Sequence, residues 1–159
     1  MNLRITALFF ISLIPVAAWG GEIQRAADLR QDGEDASRTG KPIVMLVSAS
    51  DCPYCDLLKD NVFVGMERDD RIILRELGTD NPLRLIDFDG NATDHQDFAR
   101  KHGLFFTPTV LFLDGSGQPL SEPLVGVANV DFYAYYLERR IDKSRQTIGL
   151  TVSPGVVMD

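Results

Sequence analysis

Only two cysteines occur in the 159 residues, both within Cys52-Pro53-Tyr54-Cys55. A disulfide across so short a loop removes little chain entropy, so the pair is a poor structural staple and a catalytic role gains weight. Long apolar runs are also lacking. The N-terminal stretch from Ile5 to Ala18, broken at Pro15, falls short of the roughly 20 residues a bilayer crossing needs. Cations are outnumbered, with 16 Lys and Arg against 23 Asp and Glu and a formal net charge of −7. That balance argues against nucleic acid or an anionic membrane surface as a partner. There is no lipid-attachment cysteine, and nothing in the composition suggests a second domain.

Arg4 followed by Ile5 to Ala18 reads as a secretory signal, with small residues at Ala18 and Gly20 where a signal peptidase inspects the chain. Cleavage after Gly20 is expected, which makes 1–20 a signal peptide, 21–147 one domain and 148–159 a flexible tail. An uncleaved anchor is the alternative, because Trp19 also suits a membrane interface. Export places the chain in the periplasm or another oxidising compartment, where a dithiol can cycle through a disulfide.

The apolar run Pro42 to Val47 predicts a central strand over 42–48, buried on both faces. It delivers Cys52 to the edge of a sheet. Pro53 then fits the first helical position, where a missing N–H costs nothing, and Cys52 becomes the N-cap. Its sulfur faces the unpaired amides of Tyr54 and Cys55 and the positive end of the helix, both of which favour thiolate over thiol. Leu57, Leu58, Val62 and Phe63 give that helix its inward face.

Elsewhere, Ile23, Ala26, Ala27 and Leu29 fit one face of a helix from Glu22 to Arg38, ended by Gly40 and Pro42. A second strand is expected over 71–77, and an extra short strand over 83–88 closed by a turn at Asp89-Gly90-Asn91. Thr93 and Gln96 have the spacing of a capping box that opens a short helix stopped by Gly103. Strands at 109–113 and about 119–125 make a hairpin, and Asn129 caps a terminal helix. This order implies a mixed central sheet flanked by helices, an α/β fold, with a short insertion between the second strand and the following helix.

The chain resembles thioredoxin-fold proteins over most of its length after residue 20. The likeness rests on Ser48-Ala-Ser-Asp-Cys-Pro-Tyr-Cys55, on Phe106-Thr-Pro-Thr-Val-Leu-Phe-Leu-Asp114 with Gly115-Ser-Gly117, and on Gly126. It is similar in particular to exported single-domain thioredoxins linked to sulfur oxidation and cytochrome maturation. The resemblance implies a cis bond at Thr107–Pro108 beside the cysteines, leaving the Thr107 backbone to bond an extended substrate. The alternative is an ordinary strand start with a trans bond. Cytoplasmic thioredoxins place a buried aspartate where Leu46 stands here, so the usual base for Cys55 is missing. Asp51 and Asp56 flank the motif and oppose thiolate formation. The insertion, about 78–92, either lines a partner surface or decorates an edge.

The expected mechanism has Cys52 as attacking thiolate and Cys55 as resolving thiol, with Tyr54, Thr107 and Pro108 on the substrate-contact surface and Pro53 and Gly126 supporting the site. No cofactor beyond the dithiol and no resident metal is called for. Protein thiols and disulfides are the partners, with a membrane redox partner to supply or remove electrons, and the chain is expected to be a monomer. Reduction is favoured over oxidation or isomerisation. Two rival readings remain open: a zinc or copper module that adds His95 and His102 to the CxxC pair, and an interaction domain with a vestigial dithiol.

Overall fold

The computed structural model describes residues 22–152; the expected signal peptide and the last residues of the tail lie outside them. Among these residues six strands and four α-helices are arranged as α1 (Leu29–Thr39), β1 (Ile43–Ser48), α2 (Pro53–Leu58), β2 (Ile73–Gly78), β3 (Arg84–Ile86), β4 (Ala92–Asp94), α3 (His95–Lys101), β5 (Thr109–Leu113), β6 (Leu124–Val125) and α4 (Tyr133–Val152), with a π-helical turn at Lys59–Phe63 continuing α2 and a 3-10 turn at Met66–Arg68. The main sheet runs β2-β1-β5-β6, with β1 parallel to β2 and antiparallel to β5, and β6 antiparallel to β5. This is the mixed sheet flanked by helices that the order of elements implied.

β1 is buried along its whole length, and alternate side chains enter two separate cores. Val44 and Leu46 join Leu58, Phe63, Val110, Phe112, Leu137 and Ile141 on one side of the sheet. On the other, Ile43, Met45 and Val47 join Leu29, Leu77, Leu85, Phe98 and Ala99. Because β1 and β2 are parallel, the C-terminal ends of both strands lie together, and that edge carries the Cys52 loop.

Four local expectations need correction. The first helix does not begin at Glu22. Residues before Asp28 are extended and pair along β2, with Ala26 N–H donating to the Glu76 carbonyl at 2.9 Å; Asp28 caps α1 through the Gln31 amide. Sheet pairing competes successfully with helix periodicity there. Thr93 is not a cap either, since it belongs to β4, and Asp94 caps α3 by accepting from the Asp97 amide at 2.8 Å. The strand expected over 119–125 is reduced to Leu124–Val125 plus an isolated bridge from Leu113 to Pro119, because Pro119 and Pro123 have no N–H to give a ladder. Asn129 forms a turn with the Asp131 amide, and α4 starts later, at Tyr133, and runs beyond Thr147 to Val152.

The insertion is part of the packing. It contributes the β3–β4 hairpin, places Leu85 in the second core and ties Ile86 N–H to the Ala27 carbonyl at 3.0 Å. Phe88 lies against Gly117, where any Cβ would meet its ring.

Candidate active site

β1 ends at Ser48, and the loop that follows is tethered to the insertion by the Ser50 amide, which donates to Asp80 at 2.9 Å. Cys52 has non-helical backbone angles, φ −130° and ψ 86°, and caps α2, with Pro53 in the first turn. Its sulfur lies 3.2 Å from the Cys55 amide nitrogen, which donates to it. The two cysteines form a disulfide, with their Cα atoms 5.2 Å apart. Cys52 is 7% exposed and Cys55 fully enclosed, so of the two residues only Cys52 keeps any contact with solvent. Tyr54 between them projects outward, 58% exposed.

β5 approaches from the other side. It runs antiparallel to β1 with Thr109 opposite Val47, which brings Pro108 to the end of the sheet where the dithiol loop begins. The Thr107–Pro108 peptide is cis. Pro108 is buried and its carbonyl accepts from Gly126 N–H at 2.8 Å, while Gly126 takes a φ of 66°, a left-handed angle that favours glycine. Thr107 lies beyond the last ladder pair and is half-buried. The fold therefore gathers Cys52, Tyr54, Cys55, Thr107, Pro108 and Gly126 at one end of the sheet, and Pro53 holds the helix start among them.

Leu46 does stand on the strand before the dithiol, but its register partner on β2 is Glu76, and Glu76 is 2% exposed. This buried carboxylate is not evident from the sequence, where it stands beside Arg75 in the middle of β2. It accepts from Ser48 Oγ at 2.6 Å and lies 2.7 Å from Lys59 Nζ, with Arg25 at 4.0 Å. Burial pushes the Glu76 carboxyl up, but the hydrogen bonds from Lys59 and Ser48 and the charges of Lys59 and Arg25 outweigh it and hold the group below its ordinary value. A recess of about 220 Å³, lined by Arg25, Ser48, Lys59, Glu76 and Asp80 among others, opens beside the loop.

The two histidines do not complete a metal site with the cysteines. His95 is fully buried. Its Nδ1 accepts from Gly78 N–H at 3.0 Å and its Nε2 lies 2.6 Å from the Ala26 carbonyl, so both ring nitrogens are engaged. His102 stacks on Phe98 with ring centroids 4.3 Å apart. Among the described residues no group of three or more His, Cys, Asp or Glu is placed to hold an ion.

The thioredoxin-like domain family matches residues 29–141. Among solved structures, the DsbH oxidoreductase superposes with a TM-score of 0.55 at 15% identity, covering 89% of this chain and 94% of that one. Poplar thioredoxin h4 gives 0.52 at 21% identity over 82% of this chain and 99% of the other. A thioredoxin-fold protein from Helicobacter pylori gives 0.50 at 18% identity over 67% and 73%. No curated protein matches the sequence. The family match takes in both cysteines, Pro108, Gly126 and most of the described residues, and the chain belongs to the thioredoxin-like domain family.

Proposed function

We propose that the protein is an exported thiol–disulfide oxidoreductase that reduces disulfides in other proteins, drawing its electrons from a membrane partner. One observation carries the reading: a disulfide at a helix start whose first cysteine keeps a small residue exposure of 7% while the second is fully enclosed. In the reduced protein the Cys55 amide and the start of α2 stabilise a Cys52 thiolate. That thiolate attacks one sulfur of a substrate disulfide, forming a mixed disulfide and expelling the other substrate sulfur, which takes up a proton. Cys55 then loses its proton and attacks Cys52, restoring the internal disulfide and releasing the second substrate thiol. Two electrons pass from the protein to the substrate, whose two thiols take one proton lost by Cys55 and one from solvent.

Export is supported by the pattern of residues 1–20 and by the suitability of a lone CxxC pair for an oxidising compartment. N-terminal sequencing of the fractionated protein tests it, with cleavage after Gly20 as the expected result.

The Cys55→Ala variant should accumulate mixed disulfides that disappear when Cys52 is also replaced by serine. Traps that persist without Cys52 would remove it as the nucleophile. Equilibration with glutathione tests direction: a reductase should lie nearer the about −270 mV of thioredoxin than the about −120 mV of a strong oxidant.

A further inference from the structure

The dithiol end of the sheet is unusual in charge. The segments 42–58 and 102–138, which supply the Cys52 loop, the Pro108 strand, β6 and the start of α4, contain no Lys or Arg at all. Antiparallel pairing of β5 with both β1 and β6 places Thr109, Val47 and Val125 at the same level, so the stretch after β1, the stretch before β5 and the stretch after β6 leave the sheet at one end. That end presents Tyr54, Phe106, Val125 and Phe132, each more than half exposed, and Phe106 directly precedes Thr107. Asp51 and Asp131 are exposed on the same segments. The cations bordering them in sequence are engaged: Lys41 with Asp70, Lys59 with Glu76 and Asp56, Arg100 with Asp97, Lys101 with Asp87, while Arg139 lies over Tyr135.

Resting on the oxidoreductase reading above, we infer that this face selects substrate disulfides carried on extended, apolar segments flanked by Lys or Arg, and disfavours acidic ones. The exposed aromatics give a sequence-tolerant apolar contact, and the unneutralised carboxylates supply the sign of the discrimination. A second copy of the chain is a poor occupant, since pairing this face with itself brings Asp51 and Asp131 of both copies together. An anionic lipid surface is repelled for the same reason.

The test uses the protein reduced with dithiothreitol and freed of excess reductant, and two synthetic peptide disulfides that share an apolar centre and differ only in Lys or Glu flanks. Chromatography follows release of peptide thiol. At low ionic strength the Lys peptide should react about tenfold faster than the Glu peptide, and the ratio should shrink as salt shortens the reach of the charges. In an Asp51→Asn/Asp131→Asn variant the ratio should fall toward one, whereas Phe106→Ser should slow both peptides together. Equal rates in the unaltered protein, or a preference that survives the double substitution, would overturn the charge selection while leaving the oxidoreductase reading in place. Failure to reduce either peptide would sink that reading and this one with it. Sedimentation as a dimer that dissociates on Phe106→Ser would assign the face to a second copy and overturn the inference too.

Discussion

Tyr133 carries a hydroxyl buried at the top of α4 with no hydrogen-bond partner, and burial pushes its phenol up to about 12. An unpaired buried hydroxyl costs stability that the ring's apolar contacts with the first core must exceed. Tyr133→Phe is therefore expected to leave urea stability unchanged or raise it by about 1 kcal/mol; a loss of that size would mean the hydroxyl is satisfied. At the same scale, the position of the cysteine pair at a helix start could be read from its spacing and from Pro53 alone. The placement of His95 could not. A histidine near the start of a polar helix suggests solvent, and only the packed β2 edge and the extended segment at Ala26 show why it is buried and doubly bonded.

Single elements owe their positions to contacts that periodicity does not encode. Gly33 weakens α1 by propensity, yet a Cβ there would run into the carbonyl of Gly115, so the glycine is required by the turn packed on the helix. Gly33→Ala is expected to destabilise the protein by about 2 kcal/mol or more in denaturant titration, where an exposed helix site would be stabilised by the same change. α1 is also clasped to β2 by Arg75, whose guanidinium donates to both oxygens of Asp32 at 2.9 and 2.6 Å.

β2 brings the Glu76 carboxylate beneath the dithiol loop. Because its folded-state pKa lies below the ordinary 4.5, its stabilising contribution is complete above about that pH and is lost as pH falls through the lower folded-state value. Glu76→Gln should cost about 2 kcal/mol at pH 7 and flatten this acid-side loss. An unchanged slope of stability against pH below 4.5 would exclude the group as its source.

Over the whole molecule, the sheet divides the apolar residues into two cores that meet only through it. Ile141 lies in one and Ile43 in the other, both fully enclosed. Replacing each by valine should cost about 1 kcal/mol, and the double variant should show the sum within about 0.5 kcal/mol. A clearly larger combined loss would mean that β1 transmits strain between its faces. The insertion belongs to the second core through Leu85 and braces the active loop through Asp80, and its turn-rich sequence signalled neither contact.

The local chemistry was determined by sequence alone: a strand that ends where Cys52 begins, a proline that starts a helix, and alternating apolar residues on β1 that require cover on both faces. These are short-range consequences of backbone geometry and burial, and they suffice for the fold class and for the identity of the reactive pair. Tertiary structure decided what depends on residues far apart in the chain. It set Pro108 and Gly126 against the dithiol, pulled residues 22–28 out of a helix and into pairing with β2, and supplied from the neighbouring strand a buried carboxylate that Leu46 does not. Such outcomes follow from which strands become neighbours and in what register, and no local pattern of residues specifies that.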